Sequence, residues 1–150
     1  EGFNHISLQM VDRSRNAQVD GEKLASYLGI SKSLGFIRED IRFHDRYLPG
    51  QPTFHFIEVV GLLDYFDEEQ IINLLGALRG ALIEGGMLLY SNIASNGEKD
   101  FTHRIVGWPR MFYRSFEDLL ALGKTAGFEG GEMRLIHEPL NIYNLVAAVK

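Results

Sequence analysis

The order of apolar patterns predicts an α/β fold with three αβα layers, a mostly parallel sheet carrying helices on both faces. Three observations support it. Short apolar runs alternate with stretches of helical spacing from residue 5 to residue 90. Several runs stop at an acidic residue or a glycine, as parallel strands do where they meet a loop. The last two runs, 133–137 and 145–149, are joined through Pro139-Leu140-Asn141 and therefore read as an antiparallel pair.

Residues 5–11 alternate and then turn apolar (Ile6, Leu8, Met10, Val11) before Asp12, the pattern of a buried parallel strand. Ala17, Val19, Leu24, Ala25 and Leu28 fall at helical spacing, predicting a helix over 16–28 that is weakened at Gly21 and closed by Gly29. Leu34-Gly35-Phe36-Ile37 leads to Asp40 as a second strand. Past the turn residues Pro49, Gly50 and Pro52, the run 54–60 is a third strand, ended by Gly61. Asp67 with Gln70 three residues on forms a helix-start signature. Ile71, Leu74, Leu75, Leu78 and Leu82 then make a one-sided stripe, for which Gly85-Gly86 is the expected left-handed stop. Residues 87–90 form the next strand, Ser115 caps a helix over 116–126, and Gly127 ends it.

Composition narrows the function. The chain of 150 residues fits one domain, 1–150, and its 45% hydrophobic and 23% charged content is that of a globular protein. A net charge of −5 disfavours nucleic acid, whose binding needs a basic surface to displace counterions. With no cysteine there is no disulfide or thiolate metal site, which suits a reducing, cytoplasmic setting. The five histidines (His5, His44, His55, His103, His137) lack metal-ligand spacing, so no metal is expected. The longest apolar stretches run about ten residues, half of the roughly 20 that a membrane span needs. Glu1-Gly2-Phe3-Asn4-His5 has neither an initiator methionine nor the build of a secretory signal, so the chain is expected to start within a longer protein.

Three strand ends, Val11-Asp12-Arg13-Ser14, Arg38-Glu39-Asp40-Ile41 and Val59-Val60-Gly61-Leu62-Leu63-Asp64-Tyr65-Phe66, together with the leucine-rich helix and the Glu84-Gly85-Gly86 break, resemble the Rossmann-like (class I) S-adenosylmethionine-dependent methyltransferases over nearly the whole chain. A narrower likeness, carried by Gly61 to Phe66, Ser91-Asn92, Gly107-Trp108 and Tyr113-Arg114-Ser115, is to a bacterial branch that includes hydroxy-fatty-acid methyl ester biosynthesis proteins. The chain departs from the family pattern in having Glu84 for proline and His55 for aspartate. The family's first strand and glycine-rich loop are also absent from residues 1–150.

The resemblance implies that 1–150 is the C-terminal two-thirds of a single methyltransferase domain. It would use S-adenosylmethionine to methylate an oxygen or nitrogen of a small-molecule or lipid-acid acceptor, and would be inactive alone without the loop. The alternatives are an inactive methyltransferase-like binding or interaction module, and a nicotinamide-dependent dehydrogenase, which the antiparallel final pair argues against. In the family's sheet the missing strand lies between those ending at Asp12 and Val60. A neighbouring chain in a homo-oligomer, direct pairing of those two strands, or preceding chain would have to fill the gap.

The implied cofactor-binding residues are Asp12, Arg13, Asp40, Ile41, Val60, Gly61 and Leu62. Asp12 would accept from ribose hydroxyls and equally suits a loop-capping carboxylate. Asp40 would accept from the adenine amino group, beside the Ile41 amide, or is a turn acid between Arg38 and Arg42. Gly61 and Leu62 would let the backbone pass close to the methionine portion of the cofactor. On the acceptor side stand Tyr65, Asn92, His103, Trp108, Tyr113 and Arg114. Arg114 beside an aromatic suits a carboxylate or an aromatic acceptor, or the segment of Trp108, Tyr113 and Arg114 is a lid packed on the domain's own core with Arg114 at a helix start. Asn92 would orient a substrate or form a turn, and His103 is a candidate base. Leu63 and Phe66 either wall the same pocket or pack the core.

Overall fold

The structure, a computed structural model, describes residues 6–95, 104, 105, 107, 111–129 and 132–150. The chain divides into two compact units, Glu1–Leu48 and Pro49–Lys150.

In the first unit, β1 (Leu8–Val11) pairs in parallel with β2 (Leu34–Ile37), and α1 (Arg15–Tyr27) makes the crossover between them. Ser14 caps α1, its hydroxyl accepting from the Ala17 amide. A Cβ on Gly21 would meet the Phe36 ring at 3.7 Å, an ordinary packing distance, so space does not require glycine there. Parallel pairing agrees with the sequence, but burial does not. Leu8 is 44% and Met10 47% exposed. The reason lies in the unit itself, where a two-stranded sheet with a single helix leaves apolar positions uncovered.

In the second unit the strand order is β3-β4-β6-β5, with β3 (Phe54–Val59), β4 (Leu82–Ile93), β5 (Met133–His137) and β6 (Tyr143–Val149). β3 and β4 are parallel, whereas β6 is antiparallel to both β4 and β5. Direct pairing of the strands that lead to Asp12 and Val60 is thus not found, because β1 and β3 belong to different sheets. The helices are α2 (Glu68–Ala81) and α3 (Phe116–Thr125), both opened by capping boxes, Asp67 with Gln70 and Ser115 with Asp118. Ile71, Leu74, Leu75, Leu78, Leu88, Tyr90, Leu119, Val146 and Ala148 form the core. Among the described residues no helix is long and apolar enough to cross a membrane.

One predicted boundary moves. The leucine-rich helix stops at Ala81, and β4 starts at Leu82 rather than Met87, so Gly85-Gly86 are not its stop. Between Phe54 and Phe56 the partner on β4 jumps from Leu82 to Met87, a bulge that absorbs the extra residues. Gly85 has φ 76° in that bulge. A Cβ on Gly86 would lie 2.9 Å from the Ile83 carbonyl oxygen and 3.0 Å from that of Phe54, so glycine is required there by close backbone approach.

Gly123 is a second close approach, between α3 and the sheet. The Tyr90 hydroxyl donates to the Leu119 carbonyl at 3.0 Å, and a Cβ on Gly123 would fall onto that hydroxyl and lie 2.7 Å from the Met133 sulfur. Gly123→Ala is therefore expected to destabilise the fold by about 1–3 kcal/mol through overpacking. In a double-mutant cycle read by urea denaturation, adding Tyr90→Phe should recover part of that loss. Strictly additive losses would show that the hydroxyl is not what fills the space.

Candidate functional site

In the first unit the candidate residues follow the two strand ends. The Asp12 amide donates to the Ile37 carbonyl at 3.2 Å, extending the β1 and β2 ladder by one residue. One carboxylate oxygen, Oδ1, accepts from the Ser14 amide at 2.7 Å. Asp12 therefore performs the loop-capping task, and as an exposed carboxylate with further lone pairs it retains capacity for hydroxyl donors. Asp40 accepts two hydrogen bonds from the Arg42 guanidinium and one from the Arg42 amide at 3.0 Å. These bonds, with the nearby positive charges of Arg42 and Arg13, outweigh burial and hold its carboxyl down at about 2. Arg13 and Asp40 are thus brought within electrostatic reach of each other. The Ile41 carbonyl accepts from the Tyr47 hydroxyl at 2.8 Å.

In the second unit the site lies where β3 and β4 end and β6 begins. β3 ends at Val59, Val60 is 44% exposed, and Gly61 turns the chain with φ 71°. The Gly61 amide donates to the hydroxyl oxygen of Ser91, which is fully buried on β4, at 3.2 Å. Leu62 is half-buried, and residues 63–65 form one 3-10 turn leading to the Asp67 cap. Leu63 and Phe66 are core residues, whereas Tyr65 is partly exposed.

Below this turn lies a buried polar network. Arg114, 7% exposed, donates to the carbonyls of Leu63 at 3.2 Å and Phe66 at 2.7 Å, and to Asn92 Oδ1 at 2.7 Å. Asn92 Nδ2 in turn donates to the Phe112 carbonyl at 2.6 Å and the Ile93 carbonyl at 3.3 Å. Asp64 Oδ1 accepts from the Ile93 amide at 2.6 Å. Burial pushes the Asp64 carboxyl up, against the Ile93 bond and the Arg114 charge, which favour the ionised form. Asn144 closes the network by donating to the Arg114 carbonyl at 2.7 Å.

Of the two readings that the sequence allows for Asn92 and Arg114, acceptor contact or internal structure, the structure favours the second, giving both internal partners. An acceptor carboxylate at Arg114 would compete with them. It would also enter an open cavity of about 540 Å³ lined by Asp67, Glu68, Glu69, Asp118, Phe112, Tyr113 and Arg114, where acids outnumber the guanidinium. His103 and Trp108 lie outside the described residues. Ser91 and Asp64 are the residues that sequence reading missed. Both sat in the quoted strand-end motifs, but nothing in a single sequence marks a serine or aspartate as fully buried.

No family model matches the chain, and no curated protein matches it by sequence. Solved structures do match. One is a "possible exported protein" from Bordetella parapertussis, at TM-score 0.82 and 17% identity, covering 96% of this chain and 53% of that one. A second is an O-methyltransferase family protein from Burkholderia thailandensis, at TM-score 0.74 and 16% identity, covering 96% and 43%. A third is the magnesium protoporphyrin IX methyltransferase of Synechocystis with bound S-adenosylhomocysteine, at TM-score 0.69 and 15% identity, covering 96% and 64%. The chain has the α/β fold seen in S-adenosylmethionine-dependent methyltransferase structures. It spans about half the length of the solved structures it matches.

Two outcomes are expected from this geometry. Arg114→Met should cost about 3 kcal/mol in urea unfolding, because it leaves three buried acceptors unpaired; a loss under about 0.5 kcal/mol would mean that the network relaxes freely. For Asp40, the folded value lies below the ordinary 3.8, so the stability its ionised form adds is complete above that pH and fades as the pH falls through about 2. The pair is solvent-exposed and worth under about 1 kcal/mol. Carboxyl titration by NMR should show the low midpoint, and Arg42→Ala should return it toward 3.8.

Proposed function

We propose that residues 1–150 form the C-terminal part of a methyltransferase domain that transfers the methyl group of S-adenosylmethionine to an oxygen or nitrogen of a small-molecule or lipid-acid acceptor. The observation that carries the proposal is the turn after β3. Its glycine has a left-handed backbone, its amide is pinned by a buried serine, and the valine before it is exposed at the end of a parallel strand. Such a turn allows close approach of a ligand to backbone, and in open parallel sheets ligands gather at these strand ends. The methyltransferase structures sharing the fold support the same reading.

Each unit offers groups of the kind that the cofactor needs. Asp12 keeps acceptor capacity for ribose hydroxyls, with Arg13 beside it, and Asp40 with Ile41 would meet the base. Val60, Gly61 and Leu62 would line the methionine end. Tyr65 and Tyr113, with His103 and Trp108, would face the acceptor, while Asn92 and Arg114 hold the turn in place from behind. When bound, the cofactor supplies a methyl group on a sulfonium, open to direct displacement. The task left to the side chains is to hold the acceptor atom in line and exclude competing geometry, so no protein nucleophile is required.

The test is calorimetry on the natural full-length protein with S-adenosylhomocysteine. A dissociation constant near the micromolar range, about −8 kcal/mol, is expected, and Asp12→Ala should weaken it at least about tenfold. Unchanged affinity in that variant would remove Asp12 from the site. Absence of binding by the unaltered protein would favour a methyltransferase-like interaction module.

A further inference from the structure

One side chain assigned no role so far reaches the turn at Gly61. We propose that Tyr143 recognises the charged end of the cofactor, its phenol walling the Gly61 turn and favouring a cationic sulfonium over the neutral thioether left after transfer. The inference rests on the reading of Gly61 and Leu62 as cofactor-facing.

The placement follows from register. β6 runs antiparallel to β4, so its first residue, Tyr143, sits opposite Ile93, the last residue of β4, and Leu145 sits opposite Ser91. Ser91 is the residue whose hydroxyl holds the Gly61 amide. The turn and the phenol are thereby fixed to the same stretch of β4 from opposite sides. A Cβ built on Gly61 would lie 4.0 Å from the Tyr143 hydroxyl, with no other described heavy atom outside the adjacent residues that near. Among the described residues, this hydroxyl forms the rim of the space over the glycine.

The chemistry of the rim favours a cation. A phenol oxygen offers lone pairs, and the ring face carries the negative side of its quadrupole. Burial pushes the Tyr143 hydroxyl up, and Asp64, beneath the same turn, and Tyr65 beside it add to that electrostatically. The group therefore stays protonated and neutral, and it offers a cation its lone pairs and ring face. A ligand losing its positive charge on transfer would lose this attraction, which helps the spent cofactor leave.

The test compares three ligands by calorimetry on the natural full-length protein: S-adenosylmethionine, its amine-bearing analogue sinefungin, and S-adenosylhomocysteine. Tyr143→Phe, with folding checked by its thermal transition, should weaken the first two by about twofold to fivefold and the third by less than about 1.5-fold. Tyr143→Ala, which removes the ring as well, should abolish the remaining preference for the charged ligands. Equal losses for all three ligands, or none, in folded variants would overturn the inference while leaving the methyltransferase reading intact. Failure of the unaltered protein to bind any of the three would overturn both.

Discussion

The second unit depends on one buried cation. A guanidinium removed from water is costly unless geometry and hydrogen bonding compensate, and Arg114 is compensated by acceptors drawn from separate parts of the chain. Leu63 and Phe66 belong to the turn after β3, Asn92 to the end of β4, and the Arg114 carbonyl accepts from Asn144 on β6. The cation therefore fixes where the Gly61 turn stands relative to the sheet. It also lies beside two helix starts, since Phe66 precedes the Asp67 cap of α2 and Arg114 precedes the Ser115 cap of α3. Burial favours loss of its proton, and the carboxylates of Glu68, Asp118, Asp64 and Asp67 oppose that.

The same arrangement separates two kinds of residue at the strand ends. Ser91, Asn92 and Asp64 are buried and bonded inward, and they shape the backbone. Val60 and Tyr65, at the same strand end, are exposed. Preorganised sites are generally built this way, with the contacting surface held by a supporting layer whose own hydrogen bonds are complete.

The sequence was most legible where local chemistry decides the outcome. The Asp67 and Gln70 capping box, the Ser115 cap, the stripe from Ile71 to Leu78 and the antiparallel final pair all formed where short-range pattern placed them, and the partner of Ser115, Asp118, was added by the structure. It was less legible where long-range contacts decide. The bulge in β4 depends on Phe54 and Phe56 of another strand, so glycines that look like a helix stop serve a different purpose. Apolar alternation marked residues 8–11 as a strand but could not show that it stays exposed. Arg114 and Asn92 looked like recognition residues because an arginine near an aromatic and an asparagine after a strand suit a ligand. Their partners, 51 and 22 residues away for two of the Arg114 bonds, are invisible in one dimension.

The bulge has a further consequence for how the chain tolerates changes in length. Side chains alternate across a strand, so inserting or deleting one residue reverses the facing of everything beyond it. From Leu88 to Asn92, β4 has no room for that, because Leu88 and Tyr90 fill the core while Ser91 holds the Gly61 turn. Ile83, Glu84 and Gly85 lie where the ladder is already broken, and the register resumes at Met87 with the Phe56 pairing. Natural variation in length between α2 and the sheet should therefore collect at 83–85, leaving the spacing from Met87 to Asn92 constant.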